Sequence, residues 1–132
     1  MARGLARLGF DLDLRDGQAR EDALVHILLR SRVEVKSDRQ CRRSGRLFIE
    51  YAWNGRPSGI ATTTADRWAI EYDDDCWVIV PTWRLRELAR EAFRQGLTAR
   101  GGNHDRSTGV LLPLTWMLRP AEPPGDELDA AA

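Results

Sequence analysis

The sequence predicts an α/β fold. Apolar residues recur at three- to four-residue intervals over residues 18–30 and 83–94, which predicts two amphipathic helices. Short runs rich in β-branched and aromatic residues lie between and after these helices, and such runs are typical of strands. Helices and strands that alternate along a chain pack as layers around one core, and 132 residues are enough to bury such a core.

The N-terminal part is predicted to hold a short strand followed by the first helix. Residues 10–14 alternate between apolar and polar side chains, and Asp16 can cap the helix over residues 18–30. Glu21 precedes Leu24 by three residues and so falls on the apolar side of that helix. A carboxylate there either reaches solvent from the edge of the apolar face or points at a site on the sheet, because burying it unpaired is costly.

The next segment is predicted to be a β-hairpin. Residues 32–38 and 46–53 form apolar, β-branched runs, and the polar connection 39–45 ends in a glycine. If the loop is symmetric, Glu34 and Glu50 lie nearly opposite each other, where like charges repel. A slip of one residue in the register would instead place Glu50 on the other face.

The remaining chain is predicted to continue the same domain, which spans residues 1–119 and is followed by a disordered tail at 120–132. The apolar run at 76–80 does not alternate, so it is expected to be a strand covered on both faces. The other predicted elements are a turn at 54–59, a short helix at 62–68, a strand at 69–72 that a turn at 73–75 joins to the strand at 76–80, the helix at 83–94 with Thr82 as its cap, a polar loop at 101–109 and a strand at 110–114. The inner face of the helix at 83–94 is expected to consist of Leu85, Leu88, Ala89, Ala92 and Phe93.

Composition and charge restrict the classes of protein. The formal net charge is zero, so binding of nucleic acid must rely on local basic patches rather than on a global field. Two cysteines that lie far apart favour reduced thiols over a disulfide scaffold or a zinc site. The sequence has neither the apolar run of a signal peptide nor the ~20 apolar residues that span a bilayer. We therefore expect no membrane partner and a cytoplasmic location.

Lys36 is the only lysine among 20 basic residues, the others being arginine. An ammonium is a compact point charge, whereas a guanidinium is a planar fork, so the two cannot replace each other where one oxygen must be held. Glu34 precedes Lys36 by two residues, so on a strand their side chains share a face. A carboxylate beside an ammonium suits divalent-metal chemistry on a phosphate. The alternative is an ordinary ion pair on a half-exposed strand.

Arginines cluster around the predicted hairpin loop. Arg39, Arg42, Arg43 and Arg46 all lie within this short segment. Such clusters neutralise phosphates and set the affinity and salt dependence of binding, so these four are predicted to bind DNA. Arginine is also the default surface cation of this chain, so some of these residues are expected to pair with its 20 acidic residues.

Several motifs together resemble one family of nucleases. They are Glu34-Val-Lys36-Ser-Asp38, Gly45-Arg-Leu-Phe-Ile-Glu50-Tyr, Pro57-Ser-Gly59-Ile, Thr64-Ala-Asp66-Arg-Trp68, and Gly101-Gly102 with Gly109-Val-Leu-Leu-Pro113-Leu. In this order they resemble the PD-(D/E)xK superfamily, and within it a small phage-type group that is Holliday-junction-resolvase-like. The resemblance implies a restriction-endonuclease-like αβββαβ core, in which helices flank a mixed central sheet, with a C-terminal helix-strand extension.

The resemblance also implies a catalytic site that binds Mg²⁺ or Mn²⁺. By this resemblance, Glu34 is a metal ligand, and Lys36 positions the attacking water or stabilises charge on the phosphate. Glu21 matches the helix acid that many members place near the metal. All three side chains are therefore expected at the catalytic site.

The chain departs from the family pattern at one point. Members usually supply an Asp at the start of the strand before the Glu-x-Lys strand, but residues 24–31, which occupy that place here, contain no acid. We expect Glu50 to replace it as a metal ligand in the catalytic site. Asp13 and Asp38 are the alternatives for this role.

These features predict a metal-dependent DNA endonuclease. The resemblance adds branched, Holliday-junction-like DNA as the substrate, and a homodimer, because junction cleavage needs two paired sites. It also implies the host-cell cytoplasm as the location if a phage encodes the chain. Two other functions are open: a catalytically inactive DNA-binding protein that retains the nuclease fold, and a structural or host-interaction protein in which Glu34 and Lys36 form only an ion pair.

Overall fold

A computed structural model describes residues 2–121, with side chains for residues 14–102 and 104–121. The predicted α/β class is confirmed, since helices occur together with parallel and antiparallel strands. The described chain contains the helices α1 (Ala2–Arg30), α2 (Cys41–Ser44) and α3 (Thr82–Arg94), and the strands β1 (Val33–Ser37), β2 (Arg46–Trp53), β3 (Arg56–Pro57), β4 (Arg67–Asp73), β5 (Cys76–Pro81), β6 (Thr98–Gly101) and β7 (Ser107–Pro113). Short 3₁₀ helices lie at Gly59–Ala61, Asn103–Asp105 and Leu114–Leu118. The chain divides into two compact units, Met1–Ser31 and Arg32–Ala132.

The first unit is a continuous helix, α1. The strand predicted at residues 10–14 is therefore wrong, and so is a helix start at Asp16. Gln18 donates a hydrogen bond to Asp22 at 3.0 Å. Arg20 lies 3.9 Å from Asp16, also four residues away. Such i,i+4 pairs favour a helical backbone across this point, and five alternating residues are too short a signal to oppose it.

The second unit contains two sheets. One has three strands in the order β1-β4-β5, with β1 parallel to β4 and β4 antiparallel to β5. The other has four antiparallel strands in the order β3-β2-β7-β6. The strands thus fall into two sheets, where the sequence interpretation expected one mixed central sheet.

The predicted hairpin between β1 and β2 is wrong, because these strands belong to different sheets. The connection between them forms the one-turn helix α2, whose Cys41 is only 2% exposed. Burial of this thiol favours a helical turn that packs on the core over an exposed hairpin loop. Glu34 and Glu50 consequently do not face each other across a ladder: Glu34 pairs with Trp68 of β4, and Glu50 with Gly109 of β7.

The core of the second unit forms around α3. Leu85, Leu88 and Ala92 of this helix are at most 1% exposed, which confirms the predicted helix and most of its inner face. Phe93, expected on the same face, is 57% exposed and makes an edge-to-face contact with Tyr51. The strands supply the other fully buried side chains, which are Leu47, Ile49, Ile70, Val110 and Leu112.

Residues 62–68 do not form the predicted helix, because the chain runs into β4 without one. Long-range polar contacts fix this segment. The Asp66 carboxylate accepts the Arg32 N–H at 2.8 Å. The Thr82 hydroxyl donates to the Ala65 carbonyl at 2.7 Å. This bond anchors the segment before β4. Thr82 is the first residue of α3, and the residue at the cap position is Pro81, so the predicted role of Thr82 as a cap is wrong.

The strand β5 is exposed on one face. The hairpin that joins it to β4 through residues 73–75 is confirmed, but β5 is the edge of its sheet and is not covered on both faces as predicted. Trp77 and Ile79 are 46% and 36% exposed, whereas Val80 is buried. An unbroken apolar run does not distinguish a fully covered strand from an edge strand with one exposed face.

Gly109 of β7 lies where a side chain does not fit. A Cβ there would be 2.6 Å from the Ile49 carbonyl oxygen and 2.7 Å from the Phe48 ring. We expect Gly109→Ala to lower the free energy of unfolding by roughly 1–3 kcal/mol, as overpacking does. At Gly101 of β6 a Cβ would be 3.4 Å from the same ring, so Gly101→Ala is the matched control and should cost less. Urea unfolding compares the two variants, and equal losses would contradict the contact assigned to Gly109.

Candidate active site

Lys36 lies on β1, partly buried, in a cleft of about 600 Å³. This cleft is named the lysine cleft, and its lining residues are Lys36, Ser37, Asp38, Arg39, Gln40, Phe48, Ala99, Arg100, Gly101, Gly102 and Leu111. The Lys36 ammonium is 5.5 Å from the centre of the Phe48 ring, which is within the range of a cation–π interaction. The ring therefore forms a wall against which the ammonium is held.

Burial lowers the pKa of Lys36 below the ordinary value of 10.5. Loss of hydration is the largest effect, because it disfavours the charged form. The negative charges of Asp38, Glu50 and Glu34 raise the pKa, in that order of strength, but do not cancel the effect of burial. The ammonium is therefore incompletely compensated, and an anion bound in the cleft would stabilise its charged form.

Glu50 is fixed by two serine hydroxyls. Ser58 donates to one carboxylate oxygen at 3.0 Å, and Ser107 donates to the other. Gly59, with φ 53°, lets the backbone pass directly against the Glu50 carbonyl, where a Cβ would overlap. The Ser-Gly pair at 58–59 and Ser107 are thus the supports of this carboxylate. Hydrogen bonds of this kind orient carboxylates that bind metals.

Asp38 connects the two sheets at the site. Its carboxylate accepts the Phe48 N–H of β2 at 2.8 Å, and its own N–H donates to the Glu71 carbonyl of β4 at 2.9 Å. The negative charge of Asp38 raises the pKa of Lys36 more than the charge of any other carboxylate does. Asp38, which the sequence interpretation held only as an alternative, is therefore part of the site.

The other predicted acids differ in how the structure places them. Glu34 is exposed and lies on the same face of β1 as Lys36. Glu21 is exposed on α1, in the other compact unit, and its role as a metal ligand stays a prediction. The side chain of Asp13 lies outside the described residues. Among the side chains that are described, no group of three or more His, Cys, Asp or Glu residues is arranged to hold a metal ion.

The four arginines predicted to bind DNA have different surroundings. Arg39 lines the lysine cleft, whereas Arg43 and Arg46 are exposed and are not part of its lining. Arg42 lies 3.6 and 3.8 Å from two aspartates at the β4–β5 turn, which partly neutralise it. Arg39 is therefore the member of this set with a direct place at the site.

Arg100 and the two glycines after it were not among the predicted site residues. All three line the lysine cleft from the end of β6. Gly102 has φ 73°, and a Cβ there would lie 3.0 Å from the hydroxyl oxygen of Ser107, the residue that holds Glu50. The sequence signal that could have identified this part of the site is a glycine pair beside an arginine, because backbone without side chains allows a ligand to approach closely.

Comparison of the chain with protein-family models, with curated proteins and with solved structures found no match. None of the helices among residues 2–121 is long and apolar enough to cross a membrane.

Lys36→Met should raise the free energy of unfolding at neutral pH, because methionine has a similar length and carries no charge to desolvate. The gain should shrink as the pH rises toward 10.5, since the lowered pKa makes the folded wild type lose its proton before the unfolded chain does. Urea unfolding at about pH 7 and about pH 10 measures both effects. Arg39→Met, at an exposed position of the same cleft, is the control and should change stability little. A loss of stability in Lys36→Met at neutral pH would contradict the dominance of burial over the nearby carboxylates.

Proposed function

We propose that this protein is a metal-dependent endodeoxyribonuclease that hydrolyses phosphodiester bonds in DNA. The observation that supports this most directly is the position of the only lysine. It lies partly desolvated in a cleft, within electrostatic reach of Asp38, Glu50 and Glu34. Phosphodiester hydrolysis uses this combination, in which an ammonium stabilises the phosphate and carboxylates hold a divalent ion.

The role of Lys36 is to bind an oxygen of the scissile phosphate. Its ammonium is held against the Phe48 ring and has lost part of its hydration. A charge that is already positioned and desolvated needs little reorganisation when negative charge grows in the transition state, and its attraction is stronger than in water. A guanidinium would present a planar set of donors in place of this point charge.

Mg²⁺ or Mn²⁺ is the proposed cofactor. Glu34 and Glu50 are its proposed ligands, and Asp38 acts on the same ammonium as both of them. Glu21, which belongs to the other compact unit, is proposed as a ligand on the family resemblance alone. The donor chemistry fits, because carboxylate oxygens are the ligands that both ions prefer, and Glu50 is held in one orientation by its two serine partners. When bound, such an ion supplies an activated water and neutralises charge on the phosphate.

Branched DNA is the proposed substrate, and a homodimer the proposed assembly. Both follow from the resemblance to Holliday-junction-resolvase-like nucleases, since two sites, one in each subunit, can cut the two strands of a junction. Arg39 and Arg100 give the lysine cleft positive charge that can neutralise the phosphates of a bound strand.

The alternative is a catalytically inactive DNA-binding protein that retains the same cleft. The hydrogen bonds of Glu50 favour this alternative, because each of its carboxylate oxygens already accepts a serine hydroxyl. Fewer lone pairs are then free for a metal ion. In this version the arginines bind DNA, and the carboxylates serve only to keep the charged Lys36 in the cleft.

Cleavage of junction, flap, duplex and single-stranded DNA with Mg²⁺ or Mn²⁺ tests the proposal. The wild type should cut at least one of these substrates. Lys36→Ala should lower the rate by roughly 10²–10³-fold, as expected when a group that stabilises transition-state charge is lost. Lys36→Arg should lose cleavage activity to a similar extent, because the donors of a guanidinium are arranged in a plane and do not replace a point charge. DNA binding by Lys36→Arg should stay close to that of the wild type, and Lys36→Ala should lose only the contribution of one phosphate contact, so cleavage rates are compared at saturating DNA.

Two outcomes would count against this function. Full activity of Lys36→Arg would exclude the role given to the ammonium. If the wild type binds DNA, cuts none of the substrates and shows no Mn²⁺ binding by calorimetry, the inactive DNA-binding protein would be the correct interpretation. If Mn²⁺ does bind, Glu50→Gln should remove most of the affinity, since the substitution takes away a charged oxygen ligand.

Arg39→Gln should weaken DNA binding more than Arg42→Gln does. Arg39 lines the lysine cleft, whereas Arg42 is partly neutralised by two aspartates. Loss of one phosphate contact should lower the slope of log affinity against log salt by ~0.9 for duplex DNA, and we expect this change for Arg39→Gln only. Fluorescence anisotropy over about 50–200 mM salt measures the slope. Equal slopes for the two variants would show that Arg39 does not contact the DNA backbone.

A further inference from the structure

A second cleft, of about 580 Å³, lies where the turn between β2 and β3 meets the loop between β6 and β7. It is named the loop cleft, and its lining includes Asn54, Arg100, His104, Asp105, Arg106 and Thr108. The two guanidinium groups and the imidazole can donate N–H groups to an anion, and one acid, Asp105, opposes them. The balance of charge in this cleft is therefore positive.

The side chains of the two arginines of the loop cleft are not used by the fold. Among the described side chains of the second unit, five arginines are bound by acidic side chains or by backbone carbonyls, namely Arg32, Arg42, Arg84, Arg86 and Arg119. Within the part of the chain whose side chains are described, neither Arg100 nor Arg106 forms an ion pair. Their charges are thus available to a ligand.

The backbone around the loop cleft is held in an unusual conformation. Asn54, His104 and Asp105 have φ values of 51°, 62° and 53°, in the left-handed region that residues other than glycine rarely adopt. The Asn54 N–H donates to the Arg106 carbonyl at 2.8 Å and so ties the turn to the loop. An Asn at 54 followed by glycine is what a two-residue hairpin requires. His104 and Asp105 adopt the same region in the loop, where His and Asp are more frequent than most other residues. Backbone of this kind is concentrated at binding sites.

Arg100 lines both the loop cleft and the lysine cleft. A nucleic-acid strand that places one phosphate at Lys36 can therefore pass Arg100 and bring another phosphate to Arg106 and His104. We propose that the loop cleft binds a backbone phosphate of the same DNA strand that occupies the lysine cleft, away from the phosphate that Lys36 contacts. This inference rests on the proposed DNA substrate, but it does not require that the DNA be cut.

Binding of labelled junction and single-stranded DNA in EDTA tests the inference in the absence of cleavage. Arg106→Gln should weaken binding roughly 5- to 10-fold at ~0.1 M salt and lower the salt slope by about one phosphate contact. Arg106→Lys should keep the slope, because it retains the charge. His104→Gln should weaken binding less than Arg106→Gln. Arg90→Gln is the matched control, since Arg90 is an exposed arginine of α3 outside both clefts, and it should change neither quantity.

A methylphosphonate scan, which removes the charge of one phosphate at a time, locates the contact. In the wild type, a neutral linkage at the contacted phosphate should cost affinity, and in Arg106→Gln the same linkage should cost nothing. The position identified in this way should differ from the one identified with Lys36→Ala. The Asn54 hydrogen bond is made to the backbone of residue 106, so Arg106→Gln should fold, and circular dichroism checks that it does.

Several outcomes would overturn the inference and not the nuclease. The first is that Arg106→Gln binds DNA as tightly as the wild type does. The second is that every neutral linkage weakens binding equally in the wild type and in Arg106→Gln. The third is that Arg106→Gln and Lys36→Ala identify the same phosphate. Absence of DNA binding by the wild type would overturn both the inference and the nuclease. The opposite result is also informative. If Arg106→Gln shows the expected loss of affinity and of one phosphate contact, but the wild type cuts no DNA with any metal ion, the inference is supported and the nuclease is excluded.

Discussion

The hydrogen bond from the Phe48 N–H to the Asp38 carboxylate is the interaction on which the site depends. β1 and β2 lie in different sheets, so no backbone ladder fixes Lys36 relative to β2. Asp38 supplies a charge-assisted bond to β2 in place of the ladder, and its own N–H is bound to β4. Because of this link, the Lys36 ammonium lies over the Phe48 ring and within electrostatic reach of Glu50.

Serine and glycine residues act together around this link. Ser58 and Ser107 hold the two oxygens of Glu50, and Gly59 and Gly109 lie at points where the backbone passes too closely for a Cβ. The hydroxyls fix the carboxylate in one orientation, while the glycines allow the segments that carry the hydroxyls to approach it. A carboxylate positioned in advance loses less entropy when it binds a ligand, which suits a binding site better than a flexible surface position.

The sequence predicts the parts of the fold and site that local patterns determine. The helix α3, the strand β2 and the β4–β5 hairpin follow from periodicity and turn residues, and the two-residue period places Glu34 and Lys36 on one face. The pairing of strands is different, because it depends on contacts far apart in the chain. Burial of Cys41 in the connection favours separate sheets for two strands that local pattern would pair, and the bond of Asp38 to β2 replaces the ladder between them. The serine partner of Glu50 that lies 57 residues away could not be read from any local pattern.

The interpretation of Glu34 and Lys36 as an ordinary surface ion pair does not fit the geometry. Among the side chains that the structure describes, Lys36 forms no ion pair, and Glu34 has the weakest effect of the three carboxylates that act on it. A structural ion pair would compensate the charge of the lysine, whereas here burial outweighs the attraction of all three. An ammonium left in this state is destabilised until an anion approaches it. The lysine cleft and the loop cleft share Arg100 in their linings, so a chain of phosphates, rather than a single one, is the anion that we propose for both.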